Sequence, residues 1–344
     1  MEYKRLLHRI IGIFVLGLFL LQLLYPERKL SVWYPWKHLG IPSLTFRNKL
    51  KLPFSAASGN LTTTSCGART DNIVNTVNNT KNWLWIMDQR KHAIQHMCEK
   101  YNLSRPWHLR QGLSRQMYVE HRYRLIFCSV PKAGCSNWIR VIIQMTLNVT
   151  MEASKLLNVH NNPVLQKLSS YPRAKQKSLL QNYTKIMFSR APIERLISAY
   201  RDKFFHSNPY YVKNIAGQIK NRYRRNKNVA GPVTFEEFAR FAIEANCCDK
   251  HWMPIFKVCD PCSIPYDFIG RFEFVETDAN NILRFLGAPD DLQYPSFKRH
   301  SKDPRTNSSI IDDFLKNLKN KEILDGIHKK YKMDFLLFNY SFFI

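Results

Sequence analysis

The sequence predicts an α/β fold in which a P-loop-like parallel sheet is flanked by helices and preceded by a single transmembrane anchor. An apolar run ending at Pro131 turns at Gly134 and passes into an apolar helical pattern at Trp138. A second apolar run, residues 185–189, precedes a helix expected to begin near Pro192. Strands that alternate with helices predict a parallel sheet with both faces covered and with ligands at the carboxyl ends of the strands. The chain has 344 residues, of which 45% are hydrophobic, enough for one large domain of this kind.

The loop between the first strand and its helix has the composition of an anion site. The first N–H groups of a helix have no partner inside the helix, and the helix dipole places partial positive charge at the same end. Lys132, Gly134 and Ser136 stand around that end, so the loop is predicted to hold a phosphate group. It differs from the ATPase P-loop, because Gly-x-x-x-x-Gly-Lys-Ser/Thr is absent and Lys132 precedes the glycine.

A second anion site is predicted where the strand 185–189 meets its helix. Arg190 stands at the mouth of that helix, and Ser198 lies further along it on the same face as Glu194. Two strand-to-helix anion sites indicate a ligand with two separated phosphates.

Further elements complete the predicted domain, which spans residues 83–344. Residues 267–272 are expected to form a third strand, followed by a helix over residues 277–286 with Thr277 as its cap and Gly287 as its stop. Order is expected to begin at the start of this domain, because apolar residues recur there at helical spacing. These residues are Trp83, Ile86, Met87, Ile94, Met97 and Cys98.

The residues before this domain predict a membrane anchor and a stem. An apolar run follows a short basic segment, which predicts a cytosolic tail over residues 1–9 and an uncleaved signal anchor over residues 10–25. The run has only about 15 apolar residues, so a cleaved signal peptide is the alternative, although no small-x-small cleavage site follows it. Residues 26–82, rich in Pro, Ser, Thr and Asn, predict a luminal stem.

Glycosylation sequons and net charge indicate a luminal domain with anionic partners. The sequons begin at Asn60, Asn78, Asn102, Asn148, Asn182, Asn307 and Asn339. The formal net charge of +26 indicates nucleic acid, a membrane surface, a phosphorylated cofactor or an acidic polysaccharide as a partner. A luminal domain excludes nucleic acid on topological grounds. Residues 213–227, dense in Lys and Arg, predict either a solvated helix face or a rim that attracts an acidic glycan or steers the cofactor.

At the two phosphate loops the sequence resembles a known family. Residues 131–138, Pro-Lys-Ala-Gly-Cys-Ser-Asn-Trp, resemble the 5′-phosphosulfate loop of Golgi carbohydrate sulfotransferases that use 3′-phosphoadenosine 5′-phosphosulfate (PAPS), and residues 190–204 resemble their 3′-phosphate motif. The resemblance continues through short motifs at residues 251–252, 259–262, 266–270, 278–280, 305–306 and 335–340. The nearest branch is the N-acetylgalactosamine 4-O-sulfotransferases, to which the chondroitin, dermatan and HNK-1 enzymes are related. Ala191 departs from the family pattern, which has an acidic or other polar residue there.

The resemblance implies a PAPS-dependent sulfotransferase fold without a metal, and a site assembled from both loops. The residues implied to bind the donor are Pro131, Lys132, Ala133, Gly134, Cys135, Ser136 and Asn137 on the 5′ side, with Arg190, Arg195 and Ser198 on the 3′ side. Lys132 would stabilise charge on the leaving phosphate, and a neutral histidine would take the proton of the acceptor. His160 is predicted to be that base, because it lies between the two motifs where related sulfotransferases carry theirs. His251 is the alternative base.

The implied reaction is transfer of a sulfuryl group from PAPS to a glycan hydroxyl, most closely the 4-hydroxyl of N-acetylgalactosamine in N-glycans or in chondroitin and dermatan. The implied location is the Golgi membrane, single-pass type II, with the catalytic domain in the lumen. Two other classes stay open. One is a luminal glycosyltransferase, although its usual Asp-x-Asp triplet is absent from the sequence. The other is a non-catalytic glycan-binding protein, which would leave the paired phosphate loops without a role.

The eight cysteines allow either a zinc site or disulfides. A zinc site would draw on Cys247, Cys248, His251, Cys259 and Cys262. An oxidising lumen favours disulfides involving Cys259 and Cys262 instead, with the pairing left open. Cys128 and Cys135, inside the first strand-loop unit, are predicted to be buried thiols and not nucleophiles.

Overall fold

The fold is taken from a computed structural model that describes residues 67–104, 111–226, 230–244, 249–296, 304–318 and 320–342, with side chains from Thr80 onward except at residue 111. The predicted cytosolic tail, the anchor and most of the stem lie outside these residues, as do Cys247 and Cys248. Within the described ranges, none of the helices combines the length and the apolarity that a membrane span requires.

A mixed sheet forms the centre of the described part of the chain. Its strands are β1 (Met117–Glu120), β2 (Leu125–Cys128), β3 (Gln166–Lys167), β4 (Thr184–Ser189) and β5 (Phe268–Arg271), in the order β3-β1-β2-β4-β5. The three predicted strands, β2, β4 and β5, pair in parallel as expected. The expectation of a purely parallel sheet is wrong, because β1 pairs antiparallel with both β2 and β3. Only residues 121–124 join β1 to β2, too few for the crossover that a parallel pair needs.

Helices surround this sheet. They are α1 (Gly67–Lys100), α2 (Gln111–Ser114), α3 (Cys135–Leu147), α4 (Arg173–Asn182), α5 (Pro192–Tyr200), α6 (Pro209–Asn214), α7 (Ala216–Tyr223), α8 (Phe235–Glu244), α9 (Ile255–Cys259), α10 (Val275–Phe285), α11 (Ser308–Lys316) and α12 (Lys321–Leu337). Helices α1 and α10 pack on β5, and α3 packs on β1. A second apolar core joins α5, α8 and α12 around the buried side chains of Phe204, Phe238 and Trp252.

The two helices that follow β2 and β4 begin close to the predicted positions. Helix α3 begins at Cys135, one turn before the predicted Trp138. Trp138 itself is fully buried and stacks on Phe127 of β2, with ring centroids 5.6 Å apart, so it fastens the helix to the sheet. Helix α5 carries Pro192 at its start as predicted, because the fixed φ of proline suits a first turn.

The predicted cap of the helix after β5 is wrong. Helix α10 begins at Val275, because the 3₁₀ turn Phe272–Phe274 leads directly into it, and Thr277 therefore lies inside its first turn. The predicted stop is confirmed. Gly287 has φ +73°, and the N–H of Ala288 donates to the carbonyl of Leu283 at 3.0 Å, which closes the C-terminus of the helix.

Polar contacts join helix α1 to α10 and to β5, where Arg90 Nη1 donates to the carbonyl of Ile269 at 3.1 Å. It begins at Gly67, inside the predicted stem, and its described buried face carries Trp83, Met87, Ile94 and Cys98, at the predicted helical spacing. The indole Nε1 of Trp83 donates to Asp278 at 3.1 Å, and Arg90 pairs with the same carboxylate at 2.7 Å. The domain boundary at residue 83 stays a prediction.

Two disulfides join distant parts of the chain. Cys98 is bonded to Cys262 and Cys128 to Cys259, so the prediction of disulfides at Cys259 and Cys262 is confirmed. The prediction that Cys128 is a thiol is wrong, because the end of β2 lies against the last residue of α9. Cys135 is a buried free thiol, as predicted. The alternative zinc site loses two of its sulfur ligands to these disulfides, and the described residues contain no group of three or more metal-ligating side chains.

The basic stretch 213–227 contains both surface charges and a structural ion pair. Arg224 is buried and donates to Glu237 at 2.7 Å, which joins α7 to α8. Arg222 is exposed and pairs with Glu244 at 3.2 Å. Part of this stretch therefore stabilises the helical layer, because a buried arginine needs a paired carboxylate.

Candidate functional site

The two predicted phosphate loops lie side by side at the carboxyl ends of adjacent parallel strands. Strand β2 ends at Cys128 and β4 ends at Ser189, and these two strands are paired directly. The loops are joined by a hydrogen bond from Arg190 Nη1 to the carbonyl of Lys132, at 2.9 Å. The fold therefore brings both predicted anion sites to one edge of the sheet.

The first loop is shaped by a close approach at Gly134. This residue has φ +81°, and a Cβ there would lie 2.5 Å from the hydroxyl oxygen of Tyr294. That hydroxyl donates to the carbonyl of Gly134 at 3.0 Å. Only glycine combines this backbone angle with this contact, so the loop keeps its tight turn against Tyr294.

Asn137 supports the loop from within the protein. Its side-chain amide donates to the carbonyl of Pro295 at 2.6 Å, and its amide oxygen accepts from Arg140 at 3.1 Å. The side chain is buried. These contacts assign Asn137 to holding the first turn of α3 in place; its predicted contact with the donor stays a prediction.

Lys132 shares a carboxylate with a second lysine. Its Nζ lies 3.2 Å from Asp202 Oδ2, and Lys203 Nζ lies 3.0 Å from the same oxygen. Burial lowers the pKa of Lys132, and the charge of Asp202 opposes this change. Burial acts to raise the pKa of Asp202, but the two lysines hold it well below its ordinary value. Two cations thus share one anion, which leaves net positive charge beside the first loop.

Arg190 is a buried cation at the second loop, and its predicted contact with a 3′-phosphate stays a prediction. Its side chain is buried against the ring of Phe272, at 4.2 Å from the ring centroid, and Glu194 lies 3.5 Å from its Nε. That nitrogen nevertheless has no hydrogen-bond partner among the described residues. Burial lowers the pKa of Arg190 to about 10, opposed by Glu194, so the group is charged at neutral pH. A buried cation with an unused donor is suited to an anionic ligand.

The guanidinium of Arg195 donates hydrogen bonds to three backbone carbonyls. Nε donates to the carbonyl of Pro131 at 2.9 Å, while Nη1 and Nη2 each donate at 2.7 Å, to Met253 and Lys250 respectively. The side chain is only 1% exposed. These contacts give Arg195 a positioning role that connects the first loop to residues 249–253. These bonds use three of its five N–H donors, and its predicted contact with a phosphate stays a prediction.

The start of α5 receives a carboxylate from another segment. The backbone N–H of Ala191, where the sequence departs from the family pattern, donates to Glu273 Oε1 at 3.2 Å. Ser198 lies half-buried on the same helix. Sequence reasoning missed Glu273, because it follows β5 and nothing near it in the sequence points to α5.

His160 borders the first loop. It lies in the 3₁₀ turn Val159–Asn161, and its Nε2 is 3.0 Å from the hydroxyl of Ser136. The residue is exposed at the rim of the site, but nearby protein atoms partly remove the imidazole from solvent. This desolvation, together with the positive charge of Lys250, lowers the pKa of His160 to about 4, so the imidazole is neutral at physiological pH.

His251 is held in a hydrogen-bonded group. Its Nδ1 lies 2.7 Å from Asp249 Oδ1, and Tyr211 donates to the other oxygen of that carboxylate at 2.8 Å. Burial lowers the pKa of His251, Asp249 opposes this, and the positive charge of Lys203 lowers it further. The sequence named His251 but not Asp249 or Tyr211. The placement of Asp249 two residues before the histidine was the one local signal for the carboxylate.

Comparison with known proteins identifies the family of this chain. Residues 115–341 match the sulfotransferase family, and this span contains both loops and both histidines. The chain belongs to the sulfotransferase family. The predicted resemblance to carbohydrate sulfotransferases is thereby confirmed.

The curated relatives of this sulfotransferase family member are similar over most of the described chain. Human carbohydrate sulfotransferase 9 is 40% identical over 74% of this chain and 60% of its own length. Carbohydrate sulfotransferase 8 of Mus musculus is 38% identical over 74% of this chain and 63% of its own length. Carbohydrate sulfotransferase 14 of Mus musculus is 33% identical over 74% of this chain and 69% of its own length. The chain thus spans about 60% of the length of the first of these relatives. No solved structure matches it.

Proposed function

We propose that this protein transfers a sulfuryl group from PAPS to a hydroxyl group of a glycan. The observation that carries the proposal is the pair of anion-binding loops at the ends of the adjacent strands β2 and β4, joined by the bond between Arg190 and the Lys132 carbonyl. A ligand with two separated phosphates fits this arrangement. The family membership and the printed names of the relatives support the same reaction class.

The residues present fit the phosphates of PAPS. Helix α3 offers its first N–H groups beside Gly134, and Arg190 offers a buried Nε without a hydrogen bond to any described residue. The 5′ side would be held by the loop from Pro131 to Asn137, and the 3′ side by Arg190 and Ser198. PAPS, when bound, supplies the sulfuryl group.

Lys132 provides the charge that the reaction needs at the leaving phosphate. Sulfuryl transfer, like phosphoryl transfer, depends on alignment and on stabilising charge that develops on the leaving group. Lys132 stands at the first loop with Lys203 close by, and both contact Asp202. Asp202 thereby positions the Lys132 ammonium and favours its charged form against the effect of burial.

His160 is the proposed base for the acceptor hydroxyl. Its ring is exposed, so a bulky glycan can reach it, and its Nε2 lies beside the phosphate loop. The imidazole is neutral at physiological pH, so one ring nitrogen has a lone pair that can take a proton. His251 is less exposed and its Nδ1 is committed to Asp249, so it is the alternative.

The acceptor that the resemblance implies is the 4-hydroxyl of N-acetylgalactosamine, in N-glycans or in chondroitin and dermatan.

The proposed location is the lumen of the Golgi, with a single-pass type II anchor over residues 10–25. Two disulfides support an oxidising compartment. Surface sequons support luminal glycosylation; the exposed ones are Asn102, Asn148, Asn182, Asn307 and Asn339. Loss of mass on glycosidase treatment, with the catalytic domain protected from protease inside sealed microsomes and the N-terminus accessible outside them, checks this topology, and a secreted form lacking residues 10–25 contradicts it.

The reaction is tested by incubating the full-length chain with sulfur-35-labelled PAPS and a panel of these glycans, followed by linkage analysis of the product. We expect label on a sugar hydroxyl. Lys132→Ala should remove most of the transfer, while Lys257→Ala, at an exposed lysine on α9, should leave it unchanged. Absence of transfer to every glycan, with the donor bound, refutes the proposed activity.

A further inference from the structure

A cavity of about 660 Å3 opens beside the proposed base. It lies near the edge of the sheet formed by β1 and β3. Its lining includes Tyr118, His160, Asn161, Gln166, Lys167 and Tyr171. This volume falls within the roughly 300–1,000 Å3 of typical small-molecule sites. None of the predicted donor residues lines the cavity, so it is distinct from the two phosphate loops.

His160 connects the cavity to the reaction centre. The same imidazole that lines the cavity lies 3.0 Å from Ser136 in the first phosphate loop. A hydroxyl group of a ligand in the cavity would therefore lie next to the proposed base and near the loop that holds the 5′ side of the donor. An acceptor for group transfer needs this placement.

The cavity carries positive charge that the protein itself does not neutralise. Lys167 lies half-buried in its wall, with Nζ 5.6 Å from the centroid of the Tyr118 ring. The lining contains no Asp or Glu, and no carboxylate of the described residues is among the groups that act on this ammonium. Burial and the nearby charge of Lys250 both lower the pKa of Lys167, which indicates that the cation lacks a compensating anion. An anionic group on a ligand would supply that compensation.

The rest of the lining suits a sugar. Asn161 and Gln166 offer amide groups that both donate and accept, as vicinal hydroxyls require. Tyr171 adds an aromatic ring whose hydroxyl is fixed by His121 Nε2 at 2.6 Å and by Gln166. A ring held in this way is rigid, so binding against it costs little conformational entropy.

From these observations we infer that the cavity is the acceptor subsite and takes a sugar that carries a carboxylate or sulfate group, with Lys167 as the cationic partner of that group. This inference rests on the proposed function for the role of acceptor. It narrows the acceptor to an acidic glycan, in which a charged sugar adjoins the N-acetylgalactosamine that reacts.

Equilibrium binding to the full-length chain tests this inference without depending on turnover. Three tetrasaccharides serve as probes: a chondroitin type with uronate carboxylates, its carboxyl-reduced neutral form, and the neutral form bearing one sulfate ester. We expect the uronate form to bind about tenfold more tightly than the neutral form, about the strength of one charge-assisted contact. The sulfate form distinguishes recognition of any anion from recognition of a carboxylate.

Variants assign the preference to the cavity. Lys167→Gln should abolish the difference between the uronate and neutral forms, and Lys167→Arg, which keeps the charge, should retain it. Lys177→Gln removes the charge of an exposed lysine on α4 outside the lining, and should leave the preference unchanged. A wild-type chain that binds the neutral and acidic forms equally overturns the inference, as does an equal loss in the Lys167 and Lys177 variants. The labelled transfer assay is read separately, so a chain that binds the acidic form through Lys167 but transfers no sulfuryl group would refute only the proposed function.

Discussion

The proposed proton-accepting role of His160 predicts an unusual pH dependence. A base acts in its neutral form, so activity falls as the pH falls through its pKa, and kcat/KM reports that pKa in the free enzyme. Crowding by protein atoms and the charge of Lys250 lower the pKa of His160 to about 4. The acid limb of kcat/KM is therefore expected near pH 4 and not near the ordinary 6.5 of a histidine.

The size of the effect follows from the two pKa values. At pH 5, a base with a pKa of 4 is about 91% neutral, whereas one with a pKa of 6.5 is about 3% neutral, a difference of roughly 30-fold. Wild-type kcat/KM at pH 5 should thus stay close to its plateau. Lys250→Gln removes a positive charge that acts on His160, so its acid limb should move upward toward pH 6.5. Lys257→Gln, on an exposed lysine absent from the groups that act on His160, is the matched control.

The assay is initial-rate transfer of labelled sulfuryl from pH 3.5 to 8, with activity at pH 7 checked after each acid incubation to exclude unfolding. His160→Ala should lower kcat by roughly 10²- to 10⁴-fold, remove the acid limb, and leave the affinity for 3′,5′-adenosine bisphosphate nearly unchanged. An acid limb that persists unchanged in His160→Ala, together with its loss in His251→Ala, refutes the assignment and makes His251 the base.

Three further outcomes are expected. Asp202→Asn should shift the alkaline limb of kcat/KM to lower pH. Asp202 raises the pKa of Lys132 against the effect of burial, so without this carboxylate the Lys132 cation is lost at a lower pH. An alkaline limb at the same pH in the variant contradicts this role. Arg190→Ala should weaken 3′,5′-adenosine bisphosphate binding by about 10- to 100-fold in calorimetry, the range of a charged hydrogen bond, and should not weaken binding of 5′-AMP, which lacks the 3′-phosphate. Equal losses for both nucleotides would argue against a 3′-phosphate site. Replacing Cys128 and Cys259 together by serine should lower the free energy of unfolding by about 2–5 kcal/mol in urea titration at fixed temperature, and an unchanged midpoint would show that this disulfide contributes nothing.

The local parts of the fold and site were predictable because they depend on short-range physics. An apolar run followed by a turn glycine and a helical pattern specifies a strand, a loop and a helix within about fifteen residues, and the orphan N–H groups of that helix make the loop an anion site. The same reasoning found the second loop at Arg190 and the stop at Gly287. The prediction of a helix cap at Thr277 was wrong, because a 3₁₀ turn that the sequence pattern did not predict makes α10 begin two residues earlier, at Val275.

The sequence by itself determined the family, the two strand-loop-helix units predicted to bind phosphate, and the two histidines proposed as the base, because short contiguous segments carry these features. Only the tertiary structure decided which groups meet: Asp202 between two lysines, Asp249 against His251, and Lys167 in a cavity beside His160. It also decided the pairing of Cys128 with Cys259, 131 residues apart, and the antiparallel edge strand β1. Contacts between residues distant in the chain depend on how strands and helices pack. Burial at those contacts then shifts the pKa values of the groups that meet. A local sequence pattern therefore predicts neither the contacts nor the pKa shifts.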